Sequence, residues 1–418
     1  MAGIMFTAEL ASWAREPDPG RFPYDAVVRE YHRVGKHFVP AELLQELTRV
    51  RDMLPAVHGP WPEIRALASF LDTALDKPDG RYDYPTYLAL PVLELPSADD
   101  PVSTAPFARP RCDRLIAQLV ADALDFELAA LDGLSVRLPE MRPGEDLVVK
   151  RCKHGLRAVL PALGRMALDR GVTATGHIDR ARQVRTLVRA DMSVAERRAV
   201  QLSVLPVYVS HDEYLFLRVL QSFETTFVLL AMDLRAAIEA LAGRRAEEAV
   251  HFIRGAEEAL RESAPLFSML ATMQIGSFRT FREFTEGASA IQSRGYKLVE
   301  ALCRTPDKER AESPAFHSVP EIHARLAGGH PNLDDAYREA RESGALDAEA
   351  AAAVESAMTG FAQALQRWRG THYRLAVRML GEATGTGYTE GTPYLDSVRD
   401  IPVFHHAAPA ADRTVRTR

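Results

Sequence analysis

Residues 368–395 read WRGTHYRLAVRMLGEATGTGYTEGTPYL and join an amphipathic helix to a glycine-rich loop. Leading into and through this stretch, Met358, Phe361, Leu365, Trp368, His372, Leu375 and Met379 recur at intervals of three or four, so they share one helix face. His372 is the only ionisable group on that apolar stripe, and folding therefore carries an imidazole into the core. Such a group must find a hydrogen-bond partner, give up its charge, or bind something such as a metal or haem. Spacing alone leaves a structural histidine and a ligand both open, the structural use being the commoner one. The glycines at 381, 385, 387 and 391 follow, where backbone can turn tightly or approach a neighbour closely.

Composition bounds the alternatives. A chain of 418 residues with 47% hydrophobic content buries a substantial core, in one large domain or two. A net charge of -6 gives no overall pull towards nucleic acid or an anionic membrane. Cys112, Cys152 and Cys303 are odd in number and scattered, as expected in a reducing compartment without a disulfide framework. No CxxCH occurs, so covalent c-type haem attachment has no support. The first twenty residues lack the basic start and long apolar run of a signal peptide. No uncharged apolar run reaches the length of about 18 residues needed to span a bilayer. The expectation is a cytoplasmic protein with no membrane partner.

Along the chain, residues 1–80 read as short helices interrupted by prolines, with Leu43, Leu44, Leu47 and Val50 sharing one face. Residues 82–94, YDYPTYLALPVLE, bring Tyr84 and Tyr87 three apart. Residues 95–205 mix helical pattern and loop. Within them, 150–198 hold twelve Lys and Arg against four Asp and Glu. The interleaved aromatics that stack bases are missing, so nucleic acid is not an expected partner. A solvated helical face, or a surface for an acidic partner or neighbouring subunit, fits better. Residues 206–230, PVYVSHDEYLFLRVLQSFETTFVLL, open a helix: Ser210 or Asp212 can cap it, and Asp212 and Glu213 fall in a first turn that favours acid. Those helix-start acids explain the surroundings of His211, which reads as structural. Glu224, on the apolar side, must be paired. Arg282 lies in FREF at 281–284, where it can pair with Glu283 on a surface or grip a carboxylate with two parallel donors. His317, His323 and His330 are spaced too irregularly for a zinc site. His405 and His406 are assigned nothing, and disorder is expected past Pro409.

Taken together, four segments resemble the tryptophan 2,3-dioxygenase family of haem enzymes: WRxxH, RMxG, GTG and a closing YL at 368–395; HDEYLF then QSFE at 211–224; FREFxxxASxxQS at 281–293; and YPTYL at 84–88. The likeness spans roughly 84–94, 207–232, 270–302 and 360–400. It implies an all-α, helical haem-binding bundle at 206–400, preceded by an N-terminal helical segment at 1–94 and an inserted helical subdomain at 95–205, with a tail at 401–418. It implies haem b, with His372 as proximal iron ligand and no side chain in a catalytic role. Substrate contacts would be Arg282 to a carboxylate, Thr386 to an ammonium group, and Phe216 and Phe278 to a ring. Tyr84, Tyr87 and Leu88 would reach into a neighbour's pocket, making the protein a homo-oligomer, dimer or tetramer.

One departure stands out. Where the family has a histidine that accepts the indole N–H, this chain has Leu220. A buried N–H left unpaired costs about 1–3 kcal/mol. The expected function is therefore a haem-dependent oxygenase of L-tryptophan or a modified aromatic amino acid, using dioxygen or peroxide. The ring would be oxidised by dioxygenation across indole C2–C3 or by monooxygenation. The alternative, from another class, is a non-catalytic helical binding protein that keeps the core and uses the basic stretch as its interaction surface. The glycine loop does not fit a nucleotide-binding reading, because it follows a helix and departs from GxGxxG.

Overall fold

Proline placement explains much of the N-terminal architecture. In the computed structural model of this chain, which describes residues 2–381 and 392–406, Pro23, Pro40 and Pro60 each immediately precede a helix. A residue without an N–H is tolerated there, because helix-start donors have no intrahelical partner. The helices Ala41–Met53 and Trp61–Ala74 follow, and the first buries Leu43, Leu47 and Val50 as the spacing requires. Among the described residues every regular element is a helix, and the single β pairing is an isolated bridge between Glu140 and Ser210. The protein is all-α.

The chain divides into two compact units. The first comprises Met1–Leu95, Ile116–Gln221 and Met269–Ser289; the second comprises Pro96–Leu115, Ser222–Ser268 and Ala290–Arg418. The Leu95/Pro96 boundary falls one residue from the expected 94/95 junction, whereas the expected 205/206 junction lies inside the first unit. Residues 116–205 do not stand apart as a separate insert but share a unit with the N-terminal helices. Backbone pairing shows why: Lys36 and His37 donate to the carbonyls of Pro206 and Val207. Gly35, at φ 82°, permits that approach, since a Cβ there would lie 2.6 Å from the Val207 oxygen. Leu202 and Leu205 complete the same apolar cluster as Tyr31, Leu43, Leu67 and Phe70.

The first unit also buries charge. Lys36 Nζ lies 2.6 Å from Asp76, both side chains being almost wholly covered. Arg151 spans Glu127 at 2.7 Å and Asp212 at 2.6 Å, and Arg218 holds Asp122 at 2.6 Å. Each of these charges thus has an opposite partner, as desolvation demands.

In the second unit, the Ala348–Leu380 helix is capped by Asp347, whose carboxylate accepts from the Ala350 N–H at 2.8 Å. It buries Met358, Phe361, Leu365 and Met379 of the expected stripe, while Trp368, His372 and Leu375 remain half-buried. The His211–Ala242 helix is long and apolar enough to cross a membrane, which the sequence reading did not credit, yet 83% of its apolar window is buried within the protein. That is the pattern of a core helix.

Candidate functional site

The first unit assembles most of the expected substrate contacts. A capping box at Asp83 and Thr86 starts the short Tyr84–Tyr87 helix, with the Thr86 N–H donating to Asp83 at 2.9 Å. It turns Tyr84, Tyr87 and Leu88 into one apolar cluster with Phe126, Leu138, Val204 and Leu217. Phe216 and Leu220, about one turn apart on the His211–Ala242 helix, pack on that cluster and stay half-buried. Gln221 ties the pieces together: its side-chain amide donates to the Leu88 carbonyl at 2.8 Å. Phe216 then meets Phe278 edge-on at 5.9 Å and Phe281 at a tilt of 49° at 5.3 Å, and Phe278 and Phe281 are themselves edge-on. Arg282 ends the Ile275–Arg282 helix one turn beyond Phe278, half-buried, and desolvation lowers its pKa from the ordinary value. A guanidinium nonetheless stays charged in such a place.

In the single chain Tyr84, Tyr87 and Leu88 are 4%, 3% and 0% exposed. The enlarged N-terminal half supplies the cover from inside the chain, through Phe126, Leu138 and Val204.

The HDE triplet is a set of three anchors. His211 is buried with Nε2 3.4 Å from Glu127, its ring 4.6 Å from that of Phe126, and its Nδ1 has no partner among the described residues. Asp212 accepts from Arg151 and, at 2.6 Å, from the Gln274 N–H. Glu213, read from the sequence only as a helix-start acid, accepts the N–H groups of Val207 at 2.6 Å and Tyr208 at 3.0 Å, and the Tyr87 hydroxyl at 3.2 Å. Burial nevertheless pushes its pKa up to about 8. No motif announced the partners Glu127 and Arg151, which lie 84 and 61 residues upstream of His211 and Asp212 respectively.

The second unit holds His372 in different surroundings. Trp368 lies 5.4 Å from the imidazole and Phe267 6.2 Å, the latter nearly parallel at 26°. Trp368 is itself packed by Phe223, Phe227 and Tyr296. Arg369, next in the motif, donates to the Tyr296 hydroxyl at 2.8 Å and the Ile401 carbonyl at 2.7 Å, fixing the helix's rotation. Burial pulls the His372 pKa down to about 4, so the ring is neutral at ordinary pH. Among the described residues neither ring nitrogen has a hydrogen-bond partner. Beyond the glycine loop, Tyr394 is held by Arg310 at 3.0 Å, and Arg310 grips Glu300 with two donors at 2.6 and 2.9 Å. Glu224 is buried in this unit, as expected. Thr386 and the glycines at 385, 387 and 391 lie outside the described residues, as does the tail from 407.

The three cysteines are free and buried, and desolvation raises all three thiols, Cys152 and Cys303 to about 12. Thiolate chemistry is thus suppressed. On the basic stretch, Arg182 pairs with Asp132 and Asp179, and Arg185 with Asp125. Part of its positive excess is therefore neutralised locally.

The all-helical fold and the four motifs resemble those of the tryptophan 2,3-dioxygenases. No protein-family model matches the chain. Curated tryptophan 2,3-dioxygenases do match it: that of Bradyrhizobium sp. (strain ORS 278) is 26% identical over 234 residues, 48% of this chain and 83% of the relative. Those of Bacillus anthracis and Nocardioides sp. (strain ATCC BAA-499 / JS614) are 25% and 28% identical, covering 46% and 47% of this chain and 81% and 82% of their own. The chain is a divergent relative of the tryptophan 2,3-dioxygenases.

Proposed function

We propose that this protein is a haem-dependent oxygenase acting on L-tryptophan or a modified aromatic amino acid. The observation that carries the reading is His372: a neutral imidazole without a partner among the described residues, set on an aromatic face in a motif shared with haem enzymes. A proximal ligand needs that neutral lone pair. Its surroundings fit haem b, since Trp368 and Leu375 offer apolar surface that the chain itself covers only in part, with buried Phe267 behind them. When bound, haem supplies the activation of dioxygen or peroxide.

The remaining work belongs to the chain. Trp368 and Phe267 keep the imidazole plane from rotating. Arg282 takes the substrate carboxylate with two parallel donors, and Thr386 takes the ammonium group. Phe216 and Phe278 form a wall for the ring, so that holding the amino-acid end fixes where the ring lies. Leu220 offers no acceptor for an indole N–H, which costs about 1–3 kcal/mol for plain tryptophan if that group is buried. A substituted indole or another aromatic ring escapes this cost, so the amino-acid handle is conventional and the ring is altered. With indole the product expected is the C2–C3 dioxygenated one; with another ring, single-oxygen transfer.

The experiment is haem quantification followed by mass spectrometry of products from L-tryptophan, 2-methyltryptophan and L-tyrosine, each with dioxygen and ascorbate or with peroxide. One haem per chain and a product heavier by one or two oxygen atoms are expected. A colourless protein that oxidises none of them contradicts the proposal and favours the binding-protein alternative.

A further inference from the structure

Two of the three histidines that sequence spacing set too irregularly for a metal site acquire order from the fold. Lys308–Ala311, Pro314–His317 and Pro320–Ala327 are three short helices in succession. Their tight connections turn Glu312, His317 and His323 towards one another, leaving His330 out of the group. His317 Nε2 lies 3.3 Å from one Glu312 oxygen and His323 Nε2 3.7 Å from the other. The two imidazole centroids are 4.5 Å apart, and one donor atom from each of the three residues lies within 4.8 Å of the others.

These separations carry the argument. Neither N···O distance is that of a good N–H···O bond. A tetrahedral zinc ion with Zn–N and Zn–O of about 2.0–2.2 Å places neighbouring ligand atoms about 3.3–3.5 Å apart. The His317 spacing falls at that value, whereas His323 is 3.7 Å from the other carboxylate oxygen; with one donor atom per residue the three lie within 4.8 Å of one another, so the exposed side chains must draw in by up to about an ångström to close on an ion. The scaffold beneath is firm. Ala315 and Phe316 are wholly buried, Val319 and Ile322 nearly so, and the Ser318 hydroxyl donates to the Ala315 carbonyl at 2.9 Å and the Ile291 carbonyl at 3.2 Å. The ligand side chains themselves stay open to solvent, with exposures of 56%, 52% and 30%. An ion therefore has access, and it would close on a site already shaped.

We propose that Glu312, His317 and His323 form a surface site for one divalent transition-metal ion of the zinc class, with water completing the coordination. Two imidazoles and one carboxylate favour Zn2+, Co2+ or Ni2+ over Mg2+ and Ca2+, which prefer all-oxygen ligand sets. The ion's effect is a clip that joins three short helices, each too short to be stable alone. It is separate from any iron held by His372 and takes no part in the proposed oxidation.

The test uses the full-length untagged chain, dialysed against Zn2+ or Co2+ and then against metal-free buffer, with metals other than iron counted by elemental analysis. One zinc per chain is expected, with a rise in melting temperature, and cobalt should give the visible absorption of a four-coordinate nitrogen–oxygen site. His317→Ala and His323→Ala should each weaken binding by more than about 100-fold, beyond the 10–100-fold that outer-shell partners cost. Glu312→Gln should abolish the melting shift with the fold intact by circular dichroism. The double variant His405→Ala/His406→Ala should retain the ion, since that pair sits with Asp334 instead. Zinc uptake unchanged in the His317→Ala/His323→Ala double variant, or ions washed out of the wild-type chain as adventitious ions only, overturns the proposal. Either result leaves the haem reading where it stands.

Discussion

His211, fully buried, and His372, half-buried, are the two histidines of the motifs, one in each compact unit, and they are held in opposite ways. His211 sits against Glu127, which Arg151 holds together with Asp212, so its ring belongs to a closed ionic group. His372 sits among Phe267 and Trp368 with no polar partner among the described residues. Acidic neighbours along the chain make His211 look more like a metal ligand, yet Asp212 and Glu213 are engaged elsewhere and the carboxylate beside the ring is that of Glu127. His211 still has an unpartnered Nδ1, so the contrast lies in the surroundings: a carboxylate beside one ring nitrogen of His211, and only aromatic rings around His372. An imidazole in apolar surroundings carries a desolvation cost that a ligand can offset.

The largest effect should come from breaking the ionic side. Arg151→Met leaves Glu127 and Asp212 buried without their cation, and a loss of about 3–5 kcal/mol is expected from urea unfolding. Haem content per folded chain should stay unchanged. A loss under about 1 kcal/mol would mean that the group is not closed in the way described. Next comes Arg282→Ala, which removes a charge-assisted contact worth about 1.5–3 kcal/mol. The Michaelis constant for an amino-acid substrate should rise about 10- to 100-fold, with the haem spectrum intact. Equal loss of haem would place Arg282 in the scaffold.

A smaller change tests the missing acceptor. Leu220→His should improve discrimination between L-tryptophan and its N-methyl analogue by about 1–3 kcal/mol, read from the ratio of kcat/KM values. No change in that ratio would show that the ring's N–H does not face position 220. The gentlest effect is a pair of opposite slopes in the haem-free chain, each at most about 1.4 kcal/mol per pH unit. His372 is a base whose pKa falls from 6.5 to about 4, so the unfolded chain binds the extra proton and stability rises with pH across that window. Glu213 is an acid whose pKa rises from 4.5 to about 8, so the folded chain holds the extra proton and stability falls with rising pH between those values. Denaturation midpoints against pH should lose the first slope in His372→Phe and the second in Glu213→Gln. Unaltered curves would remove the electrostatic contrast between the units.

Much of the local structure was legible because local periodicity determines it. The 348–380 helix, its apolar stripe and the one-turn spacing that sets Phe278 behind Arg282 follow from residues close in sequence. What the chain hides are pairings between distant stretches. His32 against the Val204 carbonyl at 2.8 Å, and Leu202 and Leu205 in one apolar cluster with Tyr31, Leu43 and Phe70, place the end of 116–205 with the N-terminal helices, and no composition shift marks this. The same blindness hid the packing of Phe126 and Val204 on the tyrosine segment. It also dismissed His317 and His323, whose spacing becomes meaningful only when short helices fold back on each other.

The central claim is that His372, and not His211, is the ligand. Haem titration followed by the Soret absorption tests it directly in the wild-type chain, His372→Ala and His211→Ala. One equivalent is expected for wild type and for the folded fraction of His211→Ala, with none retained by His372→Ala. Wild-type affinity and an unchanged spectrum in His372→Ala would contradict it.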